Sequence, residues 1–245
     1  MTEILRHLIL AGQLLTRLPL PQITPQPGDM GDATALYPTI GIIIGGLLGL
    51  LALLLPTNPW LNSLILTLAW IAITGGLHLD GAADLADGLG ASHRDPERLL
   101  AAMKDPHIGS FGVLVLIGIV LTKVITLATL LTTSGNNTIW ILILAPAWAR
   151  LGAAWWASSL PPLGNSMGAA IAQQRSRTPL TISALLLTLL GIALYPPIWL
   201  IIPPLFLLGW RLFLHQRIGG FNGDCLGAGI EYGECALLLA AALIA

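Results

Sequence analysis

Apolar runs of membrane-crossing length alternate with short polar turns along most of this chain. Runs at 39–55, 61–77, 113–133, 139–157, 179–195 and 198–214 predict six transmembrane helices. A last run, 235–245, is too short to cross on its own. It either dips partway into the membrane or begins inside the preceding loop as a seventh span. Near the start, Ile4, Leu8, Ala11, Leu15 and Leu18 fall on one helical face and Arg6, Gln13 and Arg17 on the other, with Pro19 and Pro21 ending the element. That pattern predicts a helix lying in the membrane interface; a helix packed on the bundle is the alternative. Pro203 and Pro204 are expected to kink the sixth run. The fold class is therefore all-α, a polytopic transmembrane helix bundle of six to seven spans plus an N-terminal interfacial helix.

Composition agrees. Of 245 residues 55% are hydrophobic and 9% charged, with a mean hydropathy of +0.82. Soluble domains carry about a quarter charged residues, so this is an integral membrane protein. A net charge of -1 gives no electrostatic case for nucleic acid. Residues 1–245 read as one membrane domain, without an internal repeat or a cleavable signal: Glu3 precedes an interrupted apolar stretch. The PTNPW, SGNN and YPP turns are uncharged, whereas the opposite connections hold Arg94, Arg98, Lys104, Arg175, Arg177 and Arg217. By the positive-inside rule those connections face the cytosol, which places the protein in the cytoplasmic (inner) membrane with a cytosol-facing active site. Cys225 and Cys235 are expected to be thiols, and His78, His93, His107 and His215 form no zinc spacing.

Charge that changes the picture is concentrated at 78–112, HLDGAADLADGLGASHRDPERLLAAMKDPHIGSFG. Asp80, Asp84 and Asp87, spaced i, i+4, i+7, project within about 60° of one another on a helix. Three such carboxylates at a membrane helix end point to a hard divalent cation, Mg²⁺ above all. A solvated helix end paired with Arg94 and Arg98 is the plainer alternative. Lys104 and Asp105 precede Ser110 at the start of the third run, where free backbone N–H groups, a hydroxyl and a cation would seat a phosphate. A third cluster, RIGGFNGDCLGAGIEYGE, offers Arg217, Asn222, Asp224, Glu231 and Glu234 as a polar glycine loop lining the site; a flexible connection is the plainer alternative, and Asp224 and Glu231, seven apart, would share a face if the stretch is helical. Lys123 and Arg150 are intramembrane cations that either face the bundle interior or snorkel to the surface.

GGLHLDGAADLADG, MKDPHIGSFG and IGGFNGDCLGA, with TRLP at 16–19, resemble in order the signature segments of the cobalamin synthase (adenosylcobinamide-GDP ribazoletransferase) family, along the whole chain. The resemblance implies a Mg²⁺-dependent membrane transferase that joins adenosylcobinamide-GDP to α-ribazole or its 5′-phosphate and releases GMP. Carried over by motif, Asp80, Asp84 and Asp87 would hold the metal. The general base would be one of these or Asp105, and Lys104, Arg94 and Arg98 would contact the diphosphate. Ser110, Asn222 and Asp224 would complete the substrate site. His107 stands where arginine is expected, and Asn222 where threonine is common. A CDP-alcohol phosphotransferase is disfavoured because Asp80-Gly81 is followed by Ala82-Ala83-Asp84, without the arginine such enzymes place there. A transporter is disfavoured because the charges gather on one side and no inverted repeat is visible.

Overall fold

The computed structural model describes residues 2–56, 58–92, 95–163, 170–171, 178–194 and 201–244. Within them the chain is all-α, and its one β-type feature is the isolated bridge between Pro162 and Phe221. The helices are α1 (Glu3–Leu15), α2 (Asp29–Ala33), α3 (Tyr37–Leu54), α4 (Pro59–Thr74), α5 (Leu77–Ser92) and α6 (Pro96–Ala102). Then come α7 (Ser110–Thr133), α8 (Thr138–Ser159), α9 (Thr178–Leu194), α10 (Ile202–Phe213) and α11 (Gly223–Ile244). Four helical segments are long and apolar enough to cross a membrane: Asp29–Leu54, Ser110–Thr133, Thr138–Ser159 and Gly223–Ile244. A fifth is the pair α4 and α5, bent by 87°. The structure is thus a polytopic bundle of four or five long apolar helices. The expected loop with Arg175 and Arg177, and the turn at Pro196 and Pro197, lie outside the described residues.

One alternative is decided and two expectations change. The last run begins inside the preceding loop, at Gly223, so that glycine-rich stretch is the first half of a 22-residue helix about 33 Å long. Pro203 and Pro204 fall in the first turn of α10, where a missing N–H costs nothing, so they start the helix rather than kink it. The N-terminal helix ends at Leu15, where the Thr16 hydroxyl donates to the Gly12 carbonyl at 2.7 Å. Its inner face, Leu10, Ala11 and Leu15, is buried in the core, and Arg6 pairs with Asp29 of α2 at 2.7 Å.

Small residues set the closest helix crossing. Gly41 and Gly45 of α3 lie one turn apart, and a Cβ at either would run into the α8 backbone at Pro146–Ala147 or Leu142–Ile143. Outward faces remain apolar and exposed, with Leu50 and Leu53 on α3, Leu64 and Leu68 on α4, and Leu114 and Leu121 on α7. A bilayer covers such a belt.

Charge inside the bundle is neutralised internally. Lys123 of α7 lies 2.6 Å from Glu234 and 2.8 Å from Glu231, both on α11, and 4.4 Å from the Trp70 ring centre on α4. Arg150 of α8 donates to Glu234 at 2.6 Å and to its own Pro146 carbonyl at 3.1 Å. Both cations therefore face the interior and neither snorkels. Two positive and two negative groups, all essentially inaccessible, join three helices, α7, α8 and α11. Removing one partner strands a charge in a dry interior, at a cost of about 3–5 kcal/mol. Glu234→Gln should accordingly lower the thermal unfolding midpoint in detergent sharply. The double variant Arg150→Met, Glu234→Gln keeps the Lys123–Glu231 pair balanced and should regain part of the loss. A midpoint unchanged by Glu234→Gln would rule out this role.

Candidate functional site

The site is built where α5 meets the starts of α7 and α11. Gly75 and Gly76, both in the left-handed region at φ 64° and 69°, turn the chain out of α4 and into α5. The two halves of that corner differ in chemistry: α4 is uncharged, and α5 carries Asp80, Asp84 and Asp87. Gly81 lies against the Asp224 backbone, where a Cβ would stand 2.8 Å from its Cα, and Gly227 lies against His78 in the same way at 3.2 Å. These small residues let α5 run antiparallel to the start of α11 at close range. As a result Asp84 feels the charges of Asp80, Asp224 and Asp87 together, and Asp224 feels Asp80.

Asp87 is held by backbone donors. Its Oδ2 accepts the Gly109 N–H at 2.7 Å and its Oδ1 accepts the Gly112 N–H at 2.9 Å. The carboxylate thus occupies the N-terminus of α7, where sequence reasoning puts a phosphate, and satisfies the free donors there. A Cβ at Gly109 or Gly112 would collide with it, which explains both glycines of HIGSFG. Ser110 is exposed, and no side chain of its own segment caps the helix.

The remaining candidates separate. Asn222 accepts the Cys225 N–H at 2.9 Å, capping α11, and donates to Asp224 at 3.1 Å, which fixes that carboxylate. Lys104 is exposed at the rim of a cavity of about 490 Å³ whose walls include His78, Asn222 and Asp224. Asp105 is exposed and accepts from the His107 backbone N–H at 2.9 Å and meets its ring Nδ1 at 2.7 Å. That backbone N–H first, and the imidazole second, hold the Asp105 carboxyl below the usual carboxylate range. Arg98 is exposed and leans on its own helix cap, Asp95, at 3.4 Å. Arg94 lies outside the described residues.

A second recess, about 330 Å³, lies on the α7 side of α5, lined by Asp80, Asp84, Leu79, Ile108, Leu116 and Val120 among others. Sequence reasoning left several wall residues unnamed, Tyr37 and Leu14 among them, and named Leu15 only as part of an apolar face of α1. No polar signal marks them. Among the described residues no three His, Cys, Asp or Glu side chains converge as a metal cage, and Cys225 and Cys235 are buried free thiols.

Comparison with known proteins places this geometry. The family model described as cobalamin-5-phosphate synthase matches residues 7–242. The chain is 46% identical to the adenosylcobinamide-GDP ribazoletransferase of Laribacter hongkongensis, covering 97% of this chain and 96% of the relative. It is 42% identical to that of Thiobacillus denitrificans, over 97% and 95% of the two chains. With that of Pseudomonas aeruginosa it shares 38% identity, over 99% and 100%. No solved structure matches. Since the match runs through every helix that builds the site, the chain belongs to the cobalamin-5-phosphate synthase family.

Proposed function

We propose that the chain catalyses the reaction its relatives are named for, transfer of the adenosylcobinamide phosphate from adenosylcobinamide-GDP to α-ribazole or its 5′-phosphate, with release of GMP. The observation that carries this reading is the placing of Asp80 and Asp84 in the wall of one recess and of Asp224 and Lys104 in the wall of the neighbouring one. In the reaction a ribazole hydroxyl oxygen bonds to the phosphorus next to the cobinamide arm, and the bond from that phosphorus to the oxygen of the GMP phosphate breaks. The hydroxyl proton passes to a carboxylate. Asp105 suits this least, because the His107 N–H already stabilises its ionised form. Asp80 and Asp84, which line the smaller recess, are the better acceptors.

Mg²⁺ fits the donor set, which offers only hard carboxylate oxygens. It needs no three-residue cage, since it ordinarily keeps several waters and is held by one or two carboxylates plus substrate phosphates. We assign Asp80 and Asp84, which line one recess, to hold it and Asp87 to position α7. When bound, the ion neutralises charge on the diphosphate. Lys104 and Asn222 would orient the donor, with Arg94, Arg98 and Ser110 at its periphery.

The reading extends to topology. Seven crossings, by α3, α4, α7, α8, α9, α10 and α11 in one membrane domain, put the starts of α7 and α11 on the same side as Arg98, Lys104 and Arg217. Positive charge on that side supports a cytosolic site in the inner membrane. The α1 face bearing Ile4 and Leu5, both exposed, would rest in the interface.

Purified protein in liposomes should release GMP and form cobalamin only when adenosylcobinamide-GDP, α-ribazole and Mg²⁺ are all present; no product from a folded sample overturns the assignment. Asp84→Asn, which removes a charge at constant shape, should cut the turnover rate about a hundredfold or more while the protein stays folded. Asp87→Asn should behave differently: about 1 kcal/mol of stability lost, with the Mg²⁺ concentration for half-maximal rate unchanged. A large shift in that concentration would make Asp87 a ligand after all.

A further inference from the structure

Helix α5 separates two recesses that differ in size and chemistry. The larger, about 490 Å³, includes His78, Lys104, Asn222 and Asp224 in its wall; the smaller, about 330 Å³, includes Leu79, Asp80, Asp84, Leu116 and Val120. His78 and Leu79 are neighbours in sequence but serve different recesses. Around a helix, the mean direction of 79, 80, 83 and 84 stands about 140° from that of 77 and 78, which line the larger recess, and in angle Asp84 and Leu77 are the nearest pair, about 20° apart. The carboxylates are therefore the shared border: Asp80 and Asp84 line one side, and Asp224, within their electrostatic reach, lines the other.

Displacement at phosphorus requires the attacking and leaving oxygens to stand roughly in line, on opposite sides of the reacting atom. A phosphorus held over this border meets that requirement if the two small reactants occupy different recesses. Resting on the reaction proposed above, we infer that α5 is a partition, with the GMP portion of the donor in the larger recess and the aromatic base of the acceptor in the groove between α5 and α7.

Charge decides the assignment. GMP is anionic, and Lys104 supplies a cation to the larger recess. Among the described residues lining the smaller one there is no cation, so it suits the uncharged base of the acceptor, whose 5′-phosphate, where present, stays outside it, better than the guanosine phosphate. Apart from those carboxylates the groove is walled chiefly by Leu79, Ile108, Leu116 and Val120, a surface for a flat apolar ring. Size agrees: both volumes suit a nucleoside, near the lower end of the range for small-ligand pockets. The corrinoid is far larger and would stay outside both. At the border the acceptor hydroxyl meets Asp80 or Asp84, and the departing phosphate leaves toward Lys104.

The test uses the full chain in liposomes with Mg²⁺. Val120→Trp fills the groove, and Lys104→Met removes the cation without filling anything. Val120→Trp should raise KM for α-ribazole at least tenfold and leave product inhibition by GMP unchanged. Lys104→Met should weaken GMP inhibition about tenfold and leave KM for α-ribazole unchanged. Should Val120→Trp not fold, Leu116→Phe narrows the same groove and should show the same split to a smaller degree. The opposite pattern overturns the assignment of reactants to recesses, and parallel changes in both constants overturn the partition. Absence of GMP release from the wild-type protein is a separate result that overturns the reaction itself.

Discussion

Neutrality of the buried charge is the constraint on which the rest of this bundle depends. Lys123, Arg150, Glu231 and Glu234 are individually intolerable at hydrocarbon depth, and each is acceptable only while the others hold position. The arrangement fixes the rotation of α7, α8 and α11 about their own axes, because turning any one by a quarter would pull a charged group out of reach. The rotation of α11 then decides that Gly227 meets His78 and that Asp224 meets Gly81. Placement of the candidate site thus follows from an ion network that lines neither of its recesses.

Two further contacts complete that placement. Asp87 ties α5 to the first turn of α7, and Asn222 holds Asp224 at the first turn of α11. Both helices consequently enter the membrane from points defined relative to the same short helix. The small residues at Gly81, Gly109 and Gly112 are the complement of this design, since a side chain at any of them would wedge two of the three helices apart.

Much of this was legible in the sequence, and the failures have one physical origin. Hydropathy located α3, α4, α7 and α8 within a few residues, because a helix of membrane-crossing length must be apolar whether it faces lipid or, like α8, lies mostly inside the bundle. The i, i+4 spacing of Asp80 and Asp84 also carried to the structure, because helical periodicity is a local property. Asp87 obeyed the same periodicity but bonds backbone donors 22 and 25 residues away. Glu231 and Glu234 looked like loop residues and masked the first half of α11. The charges that make them tolerable in a helix are far off in sequence: Lys123 and Arg150 stand 111 and 84 residues from Glu234. Local pattern reveals where a charge sits, whereas its cost depends on partners that only folding brings near.

The corner at Gly75 and Gly76 has a consequence for the surrounding lipid. Helix α4 has 16 residues, about 24 Å of length, against a hydrocarbon thickness of about 30 Å. A helix this short beside α7, with 24 residues, creates a hydrophobic mismatch confined to one side of the protein. A bilayer that thins to match α4 would draw its headgroup region toward the start of α5 and the carboxylates it carries. Acyl-chain length in the host membrane would then bear on how deeply the reacting phosphate sits, so two membranes of different thickness would present the same enzyme with different local dielectric conditions.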